Sequence, residues 1–144
     1  MDDNIDFTQT LNARQNRRTY LITYSKADLE KVPTCQRFAE IMLQQFELGT
    51  SKKVIEYWAV SQEDHADGAK HYHMSVKFSD TRRWNAIKGS TQRRHGIVLH
   101  FSSQALGYVA AYRYVAKNKQ DNEVLRSPNH PDLSLLGSLR TKKH

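Results

Sequence analysis

Two runs of strand-forming residues, joined by a short polar segment, limit the possible folds of this chain more than any other feature. Residues 53–63 and 71–79 are rich in β-branched and aromatic residues, and largely alternate between apolar and polar positions, which is typical of strands. The segment 64–70 between them has the composition of a turn. The two runs are therefore predicted to pair as an antiparallel hairpin.

The rest of the chain supplies further elements on both sides of this hairpin. Periodicity and capping signals predict a strand at 19–25, a helix from the Thr34 cap to Gly49, a short helix at 81–88 closed by Gly89, a strand at 95–101, and a helix from the Ser103 cap through Lys117. The order β-α-β-β-α-β-α contains the split βαβ, or ferredoxin-like, unit. We therefore predict one α+β domain of this ferredoxin-like (RRM-like) class, a central sheet with packed helices.

Length and composition limit how the chain is organised. Its 144 residues are the size of one domain, which we expect to span residues 18–118. The polar residues 1–17 are predicted to form a flexible N-terminal arm, and residues 119–144 an irregular C-terminal tail or linker. The single Cys35 excludes an internal disulfide. Since the sequence has no apolar run of membrane length and no secretory pattern at its N-terminus, we expect an intracellular protein without a membrane partner.

The positive charge of the chain favours a polyanionic partner. Lys and Arg outnumber Asp and Glu by 22 to 15, a formal net charge of +7, which steers nucleic acids towards a protein. The predicted DNA contacts are Arg17, Arg18, Lys77, Arg93 and Arg94, with Arg82, Arg83 and Arg113 as further candidates.

Two histidines in the second strand of the hairpin indicate a metal site. Side chains alternate across a strand, so His71 and His73 share one face, which is expected to be open to solvent, while Tyr72 points to the core. A third ligand is expected from the paired strand, where Glu63 falls on the histidine side. The rival ligands in the turn are Asp64, His65 and Asp67. Two histidines and a carboxylate suit Mn²⁺ or Mg²⁺ with open coordination positions, and zinc accepts the same ligand types.

The last predicted helix carries a phenol and an ammonium on one side. At 100° per residue, Tyr114 and Lys117 lie one turn apart and can meet, whereas Tyr108 and Tyr112 fall on the side predicted to pack against the sheet. A phenol attacks a phosphodiester only with help from positive charge, which the metal ion and Lys117 would supply. The expected products are a 5′-phosphotyrosine link and a free 3′-hydroxyl.

Three short motifs, taken together and in order, resemble those of a known family. They are Leu21–Ser25 (LITYS) on a strand, His71–His73 (HYH) on a strand, and Tyr114–Lys117 (YVAK) on a helix. The chain thereby resembles the HUH endonucleases, specifically the replication-initiator (Rep) nuclease domains of circular single-stranded DNA viruses and related mobile elements. The resemblance covers residues 18–118.

This resemblance implies a fold, an activity and partners. It implies an antiparallel ferredoxin-like sheet and site-specific nicking and joining of single-stranded DNA at an origin or a transposon end, which hairpins can flank. Such nicking initiates rolling-circle replication or transposition. By motif position, the metal ligands are His71 and His73, the nucleophile is Tyr114 and the assisting residue is Lys117, and the spacing favours Glu63 as the third ligand. A helicase in trans or in a further C-terminal domain, and a nuclear location in a eukaryotic host, are also implied.

Two alternatives keep the fold and change the chemistry. The first is a non-catalytic, ferredoxin-like module that binds single-stranded nucleic acid without cutting it. The second is a phosphodiesterase that uses water, in which Tyr114 is only structural. A viral, plasmid or transposon origin is equally compatible with the motifs.

Overall fold

A computed structural model describes Leu11, residues 16–50 and residues 53–133. The elements in this range are β1 (Arg17–Tyr24), α1 (Cys35–Glu47), β2 (Ile55–Asp64), β3 (Lys70–Arg82), α2 (Trp84–His95), β4 (His100–Phe101), α3 (Tyr108–Ala116), a 3-10 turn (Asp121–Glu123) and β5 (Leu125–Arg126). The strands form one sheet in the order β4-β1-β3-β2-β5, and every neighbouring pair is antiparallel. The predicted α+β, ferredoxin-like domain with a central antiparallel sheet is confirmed.

The β2–β3 hairpin forms where the alternating pattern predicted it. Gly68 has a φ of +85°, which a residue without a Cβ adopts at low cost, and so the chain can reverse there. The N–H of His65 donates to the carbonyl of Ala69 at 2.9 Å and closes the turn. Beyond the turn, Glu63 lies directly opposite His71. The register therefore places these two side chains on the same face of the sheet.

Helices α1 and α2 cover one face of the sheet, called here the α1 face. Thr34 caps α1 as predicted, because its hydroxyl accepts the N–H of Arg37 at 3.1 Å. The apolar side of α1 packs against the even-numbered residues of β1 and β3. Phe38 stacks on Tyr24 and on Tyr72, with ring centroids 6.2 Å and 5.3 Å apart. Burial of these apolar rings makes this face the main hydrophobic core.

Helix α3 covers the opposite face, called here the α3 face, which carries the histidines. Its buried side chains, Tyr108 among them, pack with Leu21 of β1 and Ala59 of β2. The expectation that the histidine face is open to solvent is therefore wrong over much of its area. Ser75 is fully buried and only 4% of His73 is exposed. Small residues on this face leave room for the apolar side of α3, which must itself be buried.

Helix α2 extends further than predicted. It runs to His95, with Gly89 inside the helix, and ends at Gly96, whose φ of +68° is the left-handed conformation of a helix C-terminus. Ile87 and Thr91 are buried one turn apart and hold the helix against the core, which outweighs the low helix propensity of Gly89.

The elements that follow α2 are shorter than predicted. β4 consists of His100–Phe101 alone, because the residues before it fill the core without pairing to β1. Residues 102–106 form a connecting turn, so α3 begins at Tyr108 after Gly107 rather than after a Ser103 cap.

The segment that follows α3 packs on the sheet, which corrects the predicted domain boundary at residue 118. β5 (Leu125–Arg126) pairs with the outer edge of β2. Ser127 exchanges two hydrogen bonds with the backbone of Trp58, since its hydroxyl accepts the N–H at 3.1 Å and its own N–H donates to the carbonyl at 2.9 Å. An unpaired strand edge attracts such a segment. Part of the predicted irregular tail therefore packs on the sheet, and residues 134–144 lie outside the described residues.

Leu11, in the predicted N-terminal arm, contacts the domain. Leu11 is buried, and its N–H lies 3.4 Å from the carbonyl of Phe101. Residues 1–10 and 12–15 lie outside the described residues, and Arg17 begins β1. Among the described helices, none has the length and apolar character that crossing a membrane requires.

Candidate active site

A cleft opens on the α3 face, at the end of the sheet where β1 ends and the hairpin turn begins. Its volume is about 320 Å³, and its walls are formed by Thr23, Ser25, Glu63, His65, His71, His73, His100 and Tyr114. These side chains come from β1 and the segment after it, the hairpin, β4 and α3, so only the folded protein brings them together. The structure thus assembles the predicted histidine pair, carboxylate and tyrosine in one place.

His73 lies at the centre of this cleft and is held from both sides. The Oγ1 atom of Thr23, its cross-strand neighbour on β1, lies 2.9 Å from Nδ1, and the Oε1 atom of Glu63 lies 2.8 Å from Nε2. An ionised carboxylate can only accept, so Nε2 donates to Glu63 and Nδ1 accepts from the Thr23 hydroxyl. Both hydrogen bonds fix the orientation of the ring.

His71 is held differently, by the backbone at the end of β1. Its ring is within 7° of parallel to that of His73, with the centroids 6.5 Å apart. The N–H of Lys26 donates to Nδ1 at 3.4 Å, and Lys26 has a φ of +48°, a left-handed conformation that non-glycine residues rarely adopt. A backbone N–H only donates, so Nε2 carries the proton in the neutral ring. The ring of His65 contacts that of His71, with centroids 3.6 Å apart and planes tilted by 49°.

The protonation states in the cleft suit a cation. The hydrogen bond from His73 holds the pKa of Glu63 at about 2, so this carboxylate is charged at neutral pH. Burial, together with the neighbouring His65 and His73, lowers the pKa of His71, so its ring is neutral. A charged carboxylate and a neutral imidazole are the forms that bind divalent metal ions.

Glu63, His71 and His73 fit a divalent metal ion in donor type and share one wall of the cleft. Within the part of the chain that the structure describes, no three donor side chains already converge on one point. The reason is local, since Glu63 and His73 hydrogen-bond to each other. A cation would exchange this hydrogen bond for two metal bonds, and the Thr23 hydroxyl can then accept from Nδ1–H instead of donating to it.

The structure distinguishes among the rival ligands in the turn. Asp64 pairs with Lys70, and Asp67 accepts the N–H of Ala69 at 2.9 Å; both acidic side chains are exposed and outside the cleft. His65 does line the cleft, and its Nε2 atom lies 3.8 Å from Glu63. His65 is therefore the rival that the geometry keeps beside the predicted ligands.

Tyr114 reaches the cleft from α3 and contacts the histidine pair. Its ring meets that of His73 edge to face, with centroids 5.1 Å apart and planes at 79°. Burial, and then the charge of Glu63, raise the pKa of Tyr114 to about 12, so the phenol is protonated. The Nζ atom of Lys117, the C-cap of α3, lies 5.8 Å from the Tyr114 ring centroid. The structure thus brings the predicted tyrosine and lysine together.

The other two tyrosines of α3 use their hydroxyls inside the fold. Ser75 donates to the hydroxyl of Tyr108 at 2.9 Å, and the Nε atom of Arg126 donates to that of Tyr112 at 3.0 Å. Both rings are buried among apolar neighbours. Helix phase predicted this packing role for both residues.

The predicted DNA-contacting residues do not all lie near the cleft. Lys77 shares the histidine face of β3, whereas Arg17 and Arg18 lie at the opposite end of β1 from the cleft. Arg93 and Arg94 belong to the last turn of α2, which packs on the α1 face, away from the histidines. Arg94 instead lines a second cleft between α2 and α1.

His100 is a cleft residue that the sequence did not single out. β4 places it directly opposite Thr23, so one row across the sheet holds His100, Thr23, His73 and Ser61. The only sequence observation that points to His100 is that a histidine falls within a predicted strand. Which strand pairs with which depends on contacts distant in sequence, and these place His100 in the cleft.

Neither the protein-family models nor the curated proteins that were searched match this chain. What the cleft can do follows from its own side chains, which are a carboxylate, imidazoles and a phenol, with an ammonium close to the phenol.

Proposed function

We propose that this chain is a metal-dependent endonuclease and strand transferase for single-stranded DNA, of the HUH Rep type, with Tyr114 as its nucleophile. The observation that carries the proposal is the contact between the rings of Tyr114 and His73, 5.1 Å apart, in one cleft with Glu63 and His71. A phenol beside two imidazoles and a carboxylate suits tyrosyl transfer to phosphate.

Tyr114 and Lys117 are the residues proposed to act on the phosphodiester. Tyr114 lines the cleft, so a phosphodiester that enters meets the phenol. Lys117 places a positive charge near the same ring, which favours the phenolate that develops as attack begins. The supporting side of α3 is anchored by buried tyrosines, which keeps this helix in place over the sheet.

Glu63, His71 and His73 are proposed to hold Mn²⁺ or Mg²⁺. When bound, such an ion withdraws charge from a phosphate oxygen and aligns the bond to be broken. The Glu63 charge contributes to the raised pKa of Tyr114, so neutralising this carboxylate makes the phenol easier to ionise.

The proposed reaction exchanges one phosphate ester bond for another. The Tyr114 oxygen forms a bond to phosphorus while the bond from phosphorus to the 3′ oxygen breaks. The phenol loses its proton and the leaving oxygen gains one. The products are a 5′-phosphotyrosine and a free 3′-hydroxyl. Attack by a 3′-hydroxyl on the tyrosyl link reverses the reaction and joins strands.

This chemistry suits the start of rolling-circle replication or of transposition. The proposed partner is the single-stranded form of an origin or a transposon end, and a helicase in trans or in a further domain would supply it. The net charge of +7 supports a nucleic-acid partner.

The decisive experiment looks for the covalent intermediate. The protein is incubated with a library of labelled single-stranded oligonucleotides and Mn²⁺, and then run on a denaturing gel. We expect a labelled protein band that a chelator abolishes and that Tyr114→Phe lacks. Tyr112→Phe is the matched control, since its hydroxyl serves Arg126 inside the fold, and it should retain the band.

The same gel separates the proposal from its alternatives. Cleaved DNA without a protein adduct would assign the site to a hydrolase that uses water. Binding without cleavage or adduct would assign the chain to the non-catalytic single-strand-binding modules. An adduct that persists in Tyr114→Phe would contradict the choice of nucleophile.

A further inference from the structure

Two arginines meet at the end of the sheet opposite the cleft. Arg17 of β1 and Arg82 of β3 are cross-strand partners. The hydroxyl of Tyr20 ties their backbones together, because it accepts the N–H of Arg17 at 2.7 Å and donates to the carbonyl of Arg82. Burial raises the pKa of Tyr20, and the charges of Arg17 and Arg82 oppose that effect. The cross-strand pairing and the shared Tyr20 hydroxyl thus bring the two arginines to the same place on the sheet.

The guanidinium groups of this pair have donors that no described residue satisfies. Arg82 donates through Nη2 to the carbonyl of Phe46 at 2.6 Å. Among the described residues, no acceptor lies within hydrogen-bonding distance of the buried Nη1 of Arg17 or of the buried Nε of Arg82. A buried donor without an acceptor costs about 1–3 kcal/mol, and more when it is charged.

No described carboxylate compensates this positive charge. Asp80, the acidic residue nearest to Arg82 along β3, accepts the N–H of Thr81 at 2.8 Å, and no ion pair joins it to either arginine. Two like charges held side by side without a counter-charge repel each other. Such a pair is stable when an anion completes it.

Helix α2 adds to the positive potential at the same place. It begins at Trp84, two residues after Arg82, and its N-cap Arg83 makes no side-chain capping bond. Its first turn carries no acidic residue. The amino end of a helix carries a partial positive charge, which favours an anion nearby.

We propose that Arg17 and Arg82, next to the amino end of α2, bind a backbone phosphate of a nucleic-acid strand. A phosphate presents several oxygen acceptors to the guanidinium donors that have no acceptor among the described residues. The arginine guanidinium group is also the side-chain group best suited to binding phosphate. Both arginines are partly exposed, so the phosphate approaches from solvent. The single-stranded nature of the ligand rests on the proposed function, whereas the phosphate site rests on the arginine contacts.

This site lies outside the catalytic cleft. Thr23 lies six positions after Arg17 in β1, a distance of about 20 Å in an extended strand. One nucleic-acid strand can contact both the arginine pair and the cleft only if it is several nucleotides long. The site would then hold the flanking DNA and contribute to affinity without touching the reacting phosphate.

Arg17→Gln tests the site, because the Arg17 side chain makes no hydrogen bond to the described residues that the fold would lose. Binding of a labelled single-stranded oligonucleotide is measured by fluorescence anisotropy in chelator, in a Tyr114→Phe background, at several salt concentrations. We expect the Kd to rise about tenfold, because one charged, hydrogen-bonded contact is lost. The slope of log Kd against log salt concentration, called here the salt slope, should fall by about 0.7. The melting temperature should be unchanged or higher, since an unsatisfied donor has been removed.

Arg37→Gln is the matched control, since it removes the same charge from an exposed arginine already paired with Glu40. It should leave the Kd and the salt slope near their original values. Nuclear magnetic resonance should show the Nε–H signals of Arg17 and Arg82 shifting as the oligonucleotide is added. An unchanged Kd and slope in Arg17→Gln, or a loss equal to that of Arg37→Gln, would overturn the proposal.

Two further outcomes identify the ligand of this site and show which of the two proposals is wrong. Saturable binding of inorganic phosphate at these signals, with strand affinity unaffected by Arg17→Gln, would assign the site to a free phosphate and overturn the nucleic-acid assignment. Adduct formation by the original protein tests the nuclease proposal separately from this site. If the adduct forms and Arg17→Gln has no effect, only the phosphate site is wrong; if no adduct forms and Arg17→Gln weakens binding, only the nuclease is wrong.

Discussion

The same strands bury chemically different side chains on the two faces of the sheet. On the α1 face, alternate residues such as Tyr20 and Met74 pack into an apolar core. Their neighbours Thr23, His73 and Ser75 point to the α3 face and are buried as well, but they are polar and hydrogen-bonded. Both faces are largely buried, and the α3 face alone carries the carboxylate, the imidazoles and the phenol that line the cleft.

The two covering helices explain this difference. α1 has 13 residues and an apolar side that lies along the strands, whereas α3 has nine and leaves the end of its face uncovered. The cleft occupies this uncovered end. A face filled with large apolar side chains contributes stability, while a face of small and polar side chains under a short helix leaves space for a ligand. Substitutions on the two faces should therefore affect different measurements.

The largest expected effect is on the α1 face. Phe38→Ala removes a fully buried ring stacked on Tyr24 and Tyr72, and should lower the free energy of unfolding by about 3–5 kcal/mol. Urea unfolding measures this loss. Leu29→Ala, at a side chain that is 41% exposed, should change it by less than about 0.5 kcal/mol. Comparable losses at both positions would break the distinction between core and surface on this face.

Next in size is an effect on the proposed metal site at the α3 face. Thr23→Val removes the hydroxyl bonded to Nδ1 of His73 and should weaken Mn²⁺ binding by about 10- to 100-fold. Isothermal titration calorimetry measures this change. Thr19→Val is the matched control, because Thr19 is also buried on this face of β1 but lies outside the cleft. Equal affinity in both variants would show that Thr23 does not position the histidine.

A smaller effect is expected from the polar network under α3. Ser75→Ala removes the donor to the hydroxyl of Tyr108, which itself lies 2.7 Å from Nε2 of His130. The free energy of unfolding should fall by about 1–2 kcal/mol, because a buried hydroxyl loses a partner. Ser90→Ala, at a partly exposed serine on α2, should have a smaller effect. A neutral result for Ser75→Ala would mean that this network does not stabilise the α3 face.

The smallest expected effect is a pH dependence from His130. Burial lowers its pKa below the usual 6.5, so the folded protein keeps the ring neutral while the unfolded chain protonates it. The stabilising contribution is therefore complete above pH 6.5 and is lost as the pH falls through the lowered value. Unfolding measured above and below pH 6.5 should show this decline, and His130→Gln should reduce it. An identical decline in the variant would assign it to other groups.

Local patterns in the sequence predicted the hairpin, the α1 cap and the shared face of His71, His73 and Glu63. These features depend on residues near each other along the chain or across one turn, where alternation and capping act directly. The end of α2 was missed because burial of Ile87 and Thr91 outweighed the glycine that was predicted to end the helix. Tertiary packing decided this boundary.

The sequence by itself determined the alternation that separates an apolar face from a histidine face, and the helix phase that selects Tyr114 over Tyr108 and Tyr112. Only the tertiary structure decided that α3 covers the histidine face, that β4 brings His100 to the cleft, and that residues 119–133 complete the sheet. Alternation and helix phase are properties of neighbouring residues. Strand order and helix placement depend on which distant surfaces bury each other best, which no local pattern encodes.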